Sequence, residues 1–194
     1  MIRKPNNWNE VQEFTDRQKL PLGAYVCKIK QVRIQDNSYG SQLAMLFDIS
    51  EGEYTDYFKK EFDSNTAQDK KWRGVLRTWL PKDDGSDKDE MTKRSFKGMV
   101  TAFEKSNLGY QWDWNENSLV GKTVGILFRN EEWDYNGKHG WAVRPFRAIS
   151  SISVREEDFT IPKDKPLANG QSTAPAYPNP NNGYTEVEDE ELPF

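Results

Sequence analysis

The 194-residue chain is 35% hydrophobic and 30% charged, a polarity that allows one domain with a sizeable core and predicts that part of the chain stays outside it. Its formal charge of −4 is a local effect: residues 186 to 194 hold five acids and no base, leaving residues 1 to 185 with 27 basic and 26 acidic side chains. The acidic total therefore does not exclude a polyanionic partner, whereas a lone cysteine, Cys27, excludes an internal disulfide and a cysteine-based metal cluster.

No stretch approaches the roughly 20 apolar residues of a membrane span, and Met1-Ile2-Arg3-Lys4-Pro5 leads into polar residues rather than an apolar signal region. The expectation is a protein that stays in the cytoplasm, with no membrane partner.

In chain order, Trp8, Val11 and Phe14 recur at helical spacing and predict a short helix over 7–16. After Leu20-Pro21-Leu22-Gly23, Tyr25, Cys27 and Ile29 alternate before the phase slips to Val32 and Ile34, which predicts a long strand with a bulge near Lys30-Gln31. A turn around Asp36 to Ser41 leads to a second strand with Leu43, Met45, Phe47 and Ile49 on one face. Glu51-Gly52-Glu53 then turns the chain into YTDYFKKEF, read as a third strand with Phe58 and Phe62 inward.

Between about 63 and 118 the pattern becomes helical, with Trp72, Val75, Leu76, Trp79 and Leu80 in one group and Phe96, Met99, Val100 and Phe103 in another. Pro81 and the run KDDGSDKDE separate them. Trp72 and Trp79 read as packing residues at this spacing; for Trp112 and Trp114 the sequence leaves core and binding roles both open. Alternation resumes with Val124, Ile126 and Phe128, Asn136-Gly137 marks a hairpin, and GWAVRPFRAIS returns as a fifth strand.

Three strands, a helical insertion and two strands make a mainly β, five-stranded antiparallel OB-fold barrel the expected architecture, with an antiparallel sandwich as its competitor. The domain spans 1–162. Residues 163–185 read as a disordered linker, since no charged residue occurs from Pro166 to Thr185, and residues 186–194 form an acidic tip.

The runs LPLGAYVCKIKQVRIQDNSYGSQLAMLFDIS and LVGKTVGILFRNEEWDYNGKHGWAVRPFRAISS resemble phage-encoded single-stranded-DNA-binding proteins of Gram-positive hosts, over roughly residues 20 to 62 and 119 to 150. The terminal EDEELPF is similar to the acidic Ile-Pro-Phe ending of bacterial single-stranded-DNA-binding proteins, with Leu192 in place of the Ile. The resemblance implies a protein of the bacterial host cytoplasm that coats single-stranded DNA in phage replication and recombination. It further implies that Asp189, Glu190, Glu191, Leu192, Pro193 and Phe194 recruit replication or recombination proteins.

Sequence-independent binding of single strands requires cations along the phosphates and flat side chains under the bases. Alternation places Tyr57 and Lys59 outward on the third strand and Arg129 outward on the fourth. The hairpin WDYNGKHGW offers Trp133, Tyr135, Lys138 and Trp141, and Tyr39 occupies the loop between strands one and two. Lys28, Lys30 and Arg33 of the first strand, with Arg144 and Arg147 of the fifth, supply a basic surface if they share a face.

No nucleophile motif, phosphate-cradling glycine loop or zinc-ligand spacing occurs, His139 is the only histidine, and DDGSDKDE lacks the spacing of a calcium loop. The sequence thus points away from an enzyme and to no cofactor or metal. A protein–protein adaptor without nucleic-acid binding is the alternative, and the oligomeric state, a homo-oligomer included, stays open.

Overall fold

The structure is a computed structural model, and residues 2–10 and 19–167 are described. Residues 6–10 form turns; the rest of the expected helix over 7–16 lies outside the described residues, as do the linker from 168 onward and the acidic tip.

Strand β1, Ala24–Asn37, pairs with β2, Gly40–Ile49, in an antiparallel hairpin. The register slips between Ile29 and Gln31, so Lys30 is the extra residue of the expected bulge. The slip keeps Val32 on the face already occupied by Cys27 and Ile29, opposite Met45, Phe47 and Ile49.

The next two elements differ from expectation. Residues 54–62 do not form a strand: α1 spans Tyr57–Ser64, and the third strand, β3, is Val75–Trp79, within the segment expected to be helical. Phe58 and Phe62 satisfy the period of a strand face and equally the one-turn spacing of a helix face. Helix wins through contacts from outside the segment. The Asp48 carboxylate of β2 accepts from the backbone N–H groups of Phe58 and Lys59 at 3.0 and 3.1 Å, capping a helix whose own preceding residue, Asp56, makes no side-chain cap.

β3 in turn pairs with β2 and buries Leu76 opposite Met45. Gly74 permits this approach, since a Cβ there would lie 2.5 Å from the Phe47 carbonyl oxygen and 2.8 Å from the Phe58 ring. Trp72 packs against the core as expected, its indole N–H donating to the Phe47 carbonyl at 3.0 Å.

Helix α2, Asp87–Ser106, starts where Ser86 Oγ accepts from the Asp89 N–H and turns Phe96, Met99 and Phe103 inward. The helical segment between the third and fourth strands is therefore the stretch from 80 to 122, ending in a 3-10 turn at Glu116–Leu119, rather than 63–118.

β4, Thr123–Tyr135, and β5, Lys138–Ile149, form the expected hairpin. Asn136 and Gly137 turn it with φ of 52° and 73°, the paired left-handed conformations of a tight two-residue turn. A short α3, Ser151–Arg155, packs back on the sheet over Gly125, where a Cβ would meet Val154 at 2.6 Å.

The result is one five-stranded, wholly antiparallel sheet in the order β3-β2-β1-β4-β5. One face carries the core, where Phe47, Phe58 and Phe128 meet at ring separations of 5.3 to 6.4 Å. The edge strands β3 and β5 approach within 8 Å at their Cα atoms, with no ladder between them among the described residues.

Candidate nucleic-acid interface

The ladder registers decide which side chains share the face opposite the core. On β4 and β5, Arg129 stands directly across from Arg144, Glu131 from Ala142, Trp133 from Gly140 and Tyr135 from Lys138. Successive residues of a strand point to opposite faces, so Arg129, Arg144, Glu131, Trp133, Tyr135 and Lys138 form one lane along the outside of the hairpin. Trp141, expected beside them, lies opposite Glu132 and points to the other face, because the antiparallel register pairs odd with even positions.

The lane is structured by contacts within it. The Trp133 indole lies over Gly140, whose hypothetical Cβ would be 3.1 Å from Cζ2. Tyr135 is 72% exposed at the tip. At the base, Arg129 stacks over the Phe146 ring at 4.1 Å, Arg147 sits 5.7 Å from that ring, and the Arg129 guanidinium pairs with Glu131 at 2.7 Å. Two like charges facing each other across a ladder are unfavourable. Here the cation–aromatic contact and a single carboxylate offset the repulsion in part, leaving the cluster an excess of positive charge.

A second group sits around the β1–β2 turn. The β1–β2–β3 registers align Arg33, Ala44 and Arg77 in one row and Gln35, Gln42 and Trp79 in the next, so two arginines flank a small residue on the outer face. The turn itself meets the chain beyond β3, since a Cβ at Gly40 would lie 2.9 Å from Cε of Lys82 and 3.8 Å from the Trp79 ring. Tyr39, 78% exposed, projects from this turn. Arg77 and Lys82 escape sequence reasoning because their segment does not read as a strand; the basic residues on either side of a Trp were the available signal.

Lys28 and Lys30 are exposed on β1. Tyr57 and Lys59 are not on an outward strand face. Tyr57 is half-buried on α1, edge-on to Tyr54 and Phe58 at 6.4 and 5.1 Å, and Lys59 pairs with Asp63 one turn on at 2.6 Å. The tip residues Asp189, Glu190, Glu191, Leu192, Pro193 and Phe194 lie outside the described residues.

The two tryptophans left open by the sequence diverge. Trp112 packs against the core, while Trp114, at φ 62°, is 80% exposed and stacks on Phe96 at 6.5 Å. Burial pushes the Cys27 thiol pKa well up, which keeps it protonated and unreactive. Among the described residues, no three or more His, Cys, Asp or Glu side chains gather to hold a metal ion, and no helix is long and apolar enough to cross a membrane.

No protein-family model matches the chain, and no curated protein matches it.

Proposed function

We propose that the protein binds single-stranded DNA with little sequence preference, as a phage-type single-stranded-DNA-binding protein acting in replication and recombination within a bacterial host's cytoplasm. In this reading the sheet is an OB-fold barrel opened along the β3–β5 seam, and the acidic Leu-Pro-Phe tip recruits partner proteins. The strand order supports the barrel, because a Greek-key barrel of this type has the same neighbours with β3 and β5 joined.

The observation that carries the reading is the outer lane of the β4–β5 hairpin. It puts cations and rings on one surface: Arg129 and Arg144 at the base, Glu131 in the row beyond them, then the Trp133 indole, and Tyr135 with Lys138 at the tip. Phosphate contacts supply affinity without sequence information, and each stacked base adds ~1–3 kcal/mol. Arg33, Arg77, Trp79, Lys82 and Tyr39 offer the same combination at the other hairpin.

Titration of the full chain with oligo-dT at two salt concentrations tests the proposal. Tryptophan fluorescence should be quenched, with affinity falling as salt rises because phosphate neutralisation releases counterions. Absence of both quenching and a gel shift at low salt would sink it in favour of the adaptor reading.

A further inference from the structure

β1 covers only part of β4. Their ladder runs from Thr123 to Leu127, and the last contact is the Phe128 N–H donating to the Gly23 carbonyl at 2.9 Å. Beyond it the same edge of β4 continues to the hairpin tip with no strand from the body of the sheet beside it. Backbone groups alternate between the two edges of a strand, so Asn130 and Glu132 present theirs on the side of Phe128.

The chain returns to meet them. Lys165 donates its N–H to the Asn130 carbonyl at 2.9 Å, and its own carbonyl accepts from the Glu132 N–H at 2.9 Å, forming a parallel bridge opposite Glu131. The Glu132 carboxylate then accepts from the Leu167 N–H at 2.9 Å. Three hydrogen bonds thus fasten the segment 165–167 to the base of the hairpin. They do so immediately before Trp133, the first ring of the outer lane. The Asn130 side chain beneath is 1% exposed with neither amide atom partnered, so this is a point where the sheet already carries unfavourable polar burial.

We propose that the segment 165–167 is a positioning strap. By completing the free edge of β4, it holds the hairpin in the orientation that presents Trp133, Tyr135 and Lys138, with Glu132 and Lys165 as its positioning residues. Without it, residues 130–135 are a two-stranded ribbon with one partner only, free to twist and bend about the last contact with Gly23. Such ribbons are marginal by themselves. This inference rests on the single-strand-binding reading for its functional half and on backbone geometry for its mechanical half.

The test compares the full-length chain with Glu132→Ala, Glu132→Gln and Lys165→Pro. Proline removes the donor to Asn130, alanine removes the acceptor for Leu167, and glutamine keeps an oxygen acceptor. Hydrogen exchange of the peptide spanning 130–141, measured without DNA, should accelerate about five- to tenfold in the Pro and Ala variants, roughly the factor one net hydrogen bond is worth. Glutamine should restore the parent rate.

Oligo-dT affinity should fall several-fold in the same two variants, with the melting temperature unchanged, since no core residue is altered. A purely structural role would lower melting temperature along with affinity. Unchanged exchange in both variants overturns the strap. Failure of the parent chain to bind oligo-dT overturns the functional reading, and the exchange rates then still decide whether the strap holds the hairpin.

Discussion

The Trp133 indole lies against Gly140 of the neighbouring strand, close enough that a Cβ at 140 would stand 3.1 Å from Cζ2 and 3.3 Å from Cε2. A glycine in a strand leaves a gap, and a large ring from the facing strand fills it. Glycine thereby fixes where the ring can be. Gly140→Val should lift the indole from its seat, shifting its fluorescence and weakening oligo-dT binding several-fold. The melting temperature should stay within a few degrees, because neither residue belongs to the buried core. A normal affinity with a shifted spectrum would remove Trp133 from the proposed interface.

Face assignment separates the three aromatic residues of the hairpin. Trp133→Ala and Tyr135→Ala should each cost ~1–3 kcal/mol of oligo-dT binding if each stacks a base. Trp141, on the opposite face across from Glu132, should cost clearly less when replaced by Ala. Equal losses at all three would show that bases wrap both faces of the ribbon.

Glu131 holds the Arg129 guanidinium at 2.7 Å, with the Arg129 side chain 14% exposed. A phosphate must compete with that carboxylate. Glu131→Gln should therefore tighten oligo-dT binding at low salt and steepen the salt dependence by the equivalent of about one phosphate contact. Arg77→Ala should act in the reverse sense, making the slope shallower by a similar amount. Titrations across a salt series read both; a Glu131→Gln variant that binds more weakly would mean the carboxylate organises the cluster rather than competing in it.

Helix α3 is fastened twice. Gly125 lets Val154 close on the sheet, and Arg155 forks onto Glu51 with bonds of 3.0 and 2.7 Å. Gly125→Ala should destabilise the fold by about 1–3 kcal/mol through overpacking, measured by denaturant melts. The ion pair is a smaller matter. Hydrogen bonding from Arg155 holds the Glu51 carboxyl below its usual pKa. Its contribution is therefore present above the ordinary carboxylate range and is lost as pH falls through the lowered value. Both partners are nearly half exposed, so solvent screening keeps the gain under about 1 kcal/mol. The stability gap between the parent and Arg155→Ala should close on acidification; a gap that persists at low pH would assign the effect to packing.

Much of this arrangement was legible in the sequence because it is local. The phase slip after Ile29 announced the bulge, Asn136-Gly137 announced the turn, and Phe96, Met99 and Phe103 announced α2. Alternation alone put Arg129 outward on β4. The exchange of strand and helix between 57 and 79 was not legible, because spacing at Phe58 and Phe62 serves both periods. What breaks the tie is Asp48, a residue of another element. Arg77 and Lys82 were lost with β3, and Trp141 was placed with its neighbours in sequence when ladder register sends it to the other face.

The capping of α1 by Asp48 also sets an order of events. An eight-residue helix is too short to persist in water alone, and the N–H groups of Phe58 and Lys59 in its first turn find their acceptor on β2. The acceptor reaches position only when Asp48 is held opposite Lys28 of β1. During folding, α1 must therefore follow the β1–β2 hairpin. Asp48→Ala should accelerate unfolding while leaving the folding rate almost unchanged, making α1 a late-forming piece whose loss marks the first step by which the molecule comes apart.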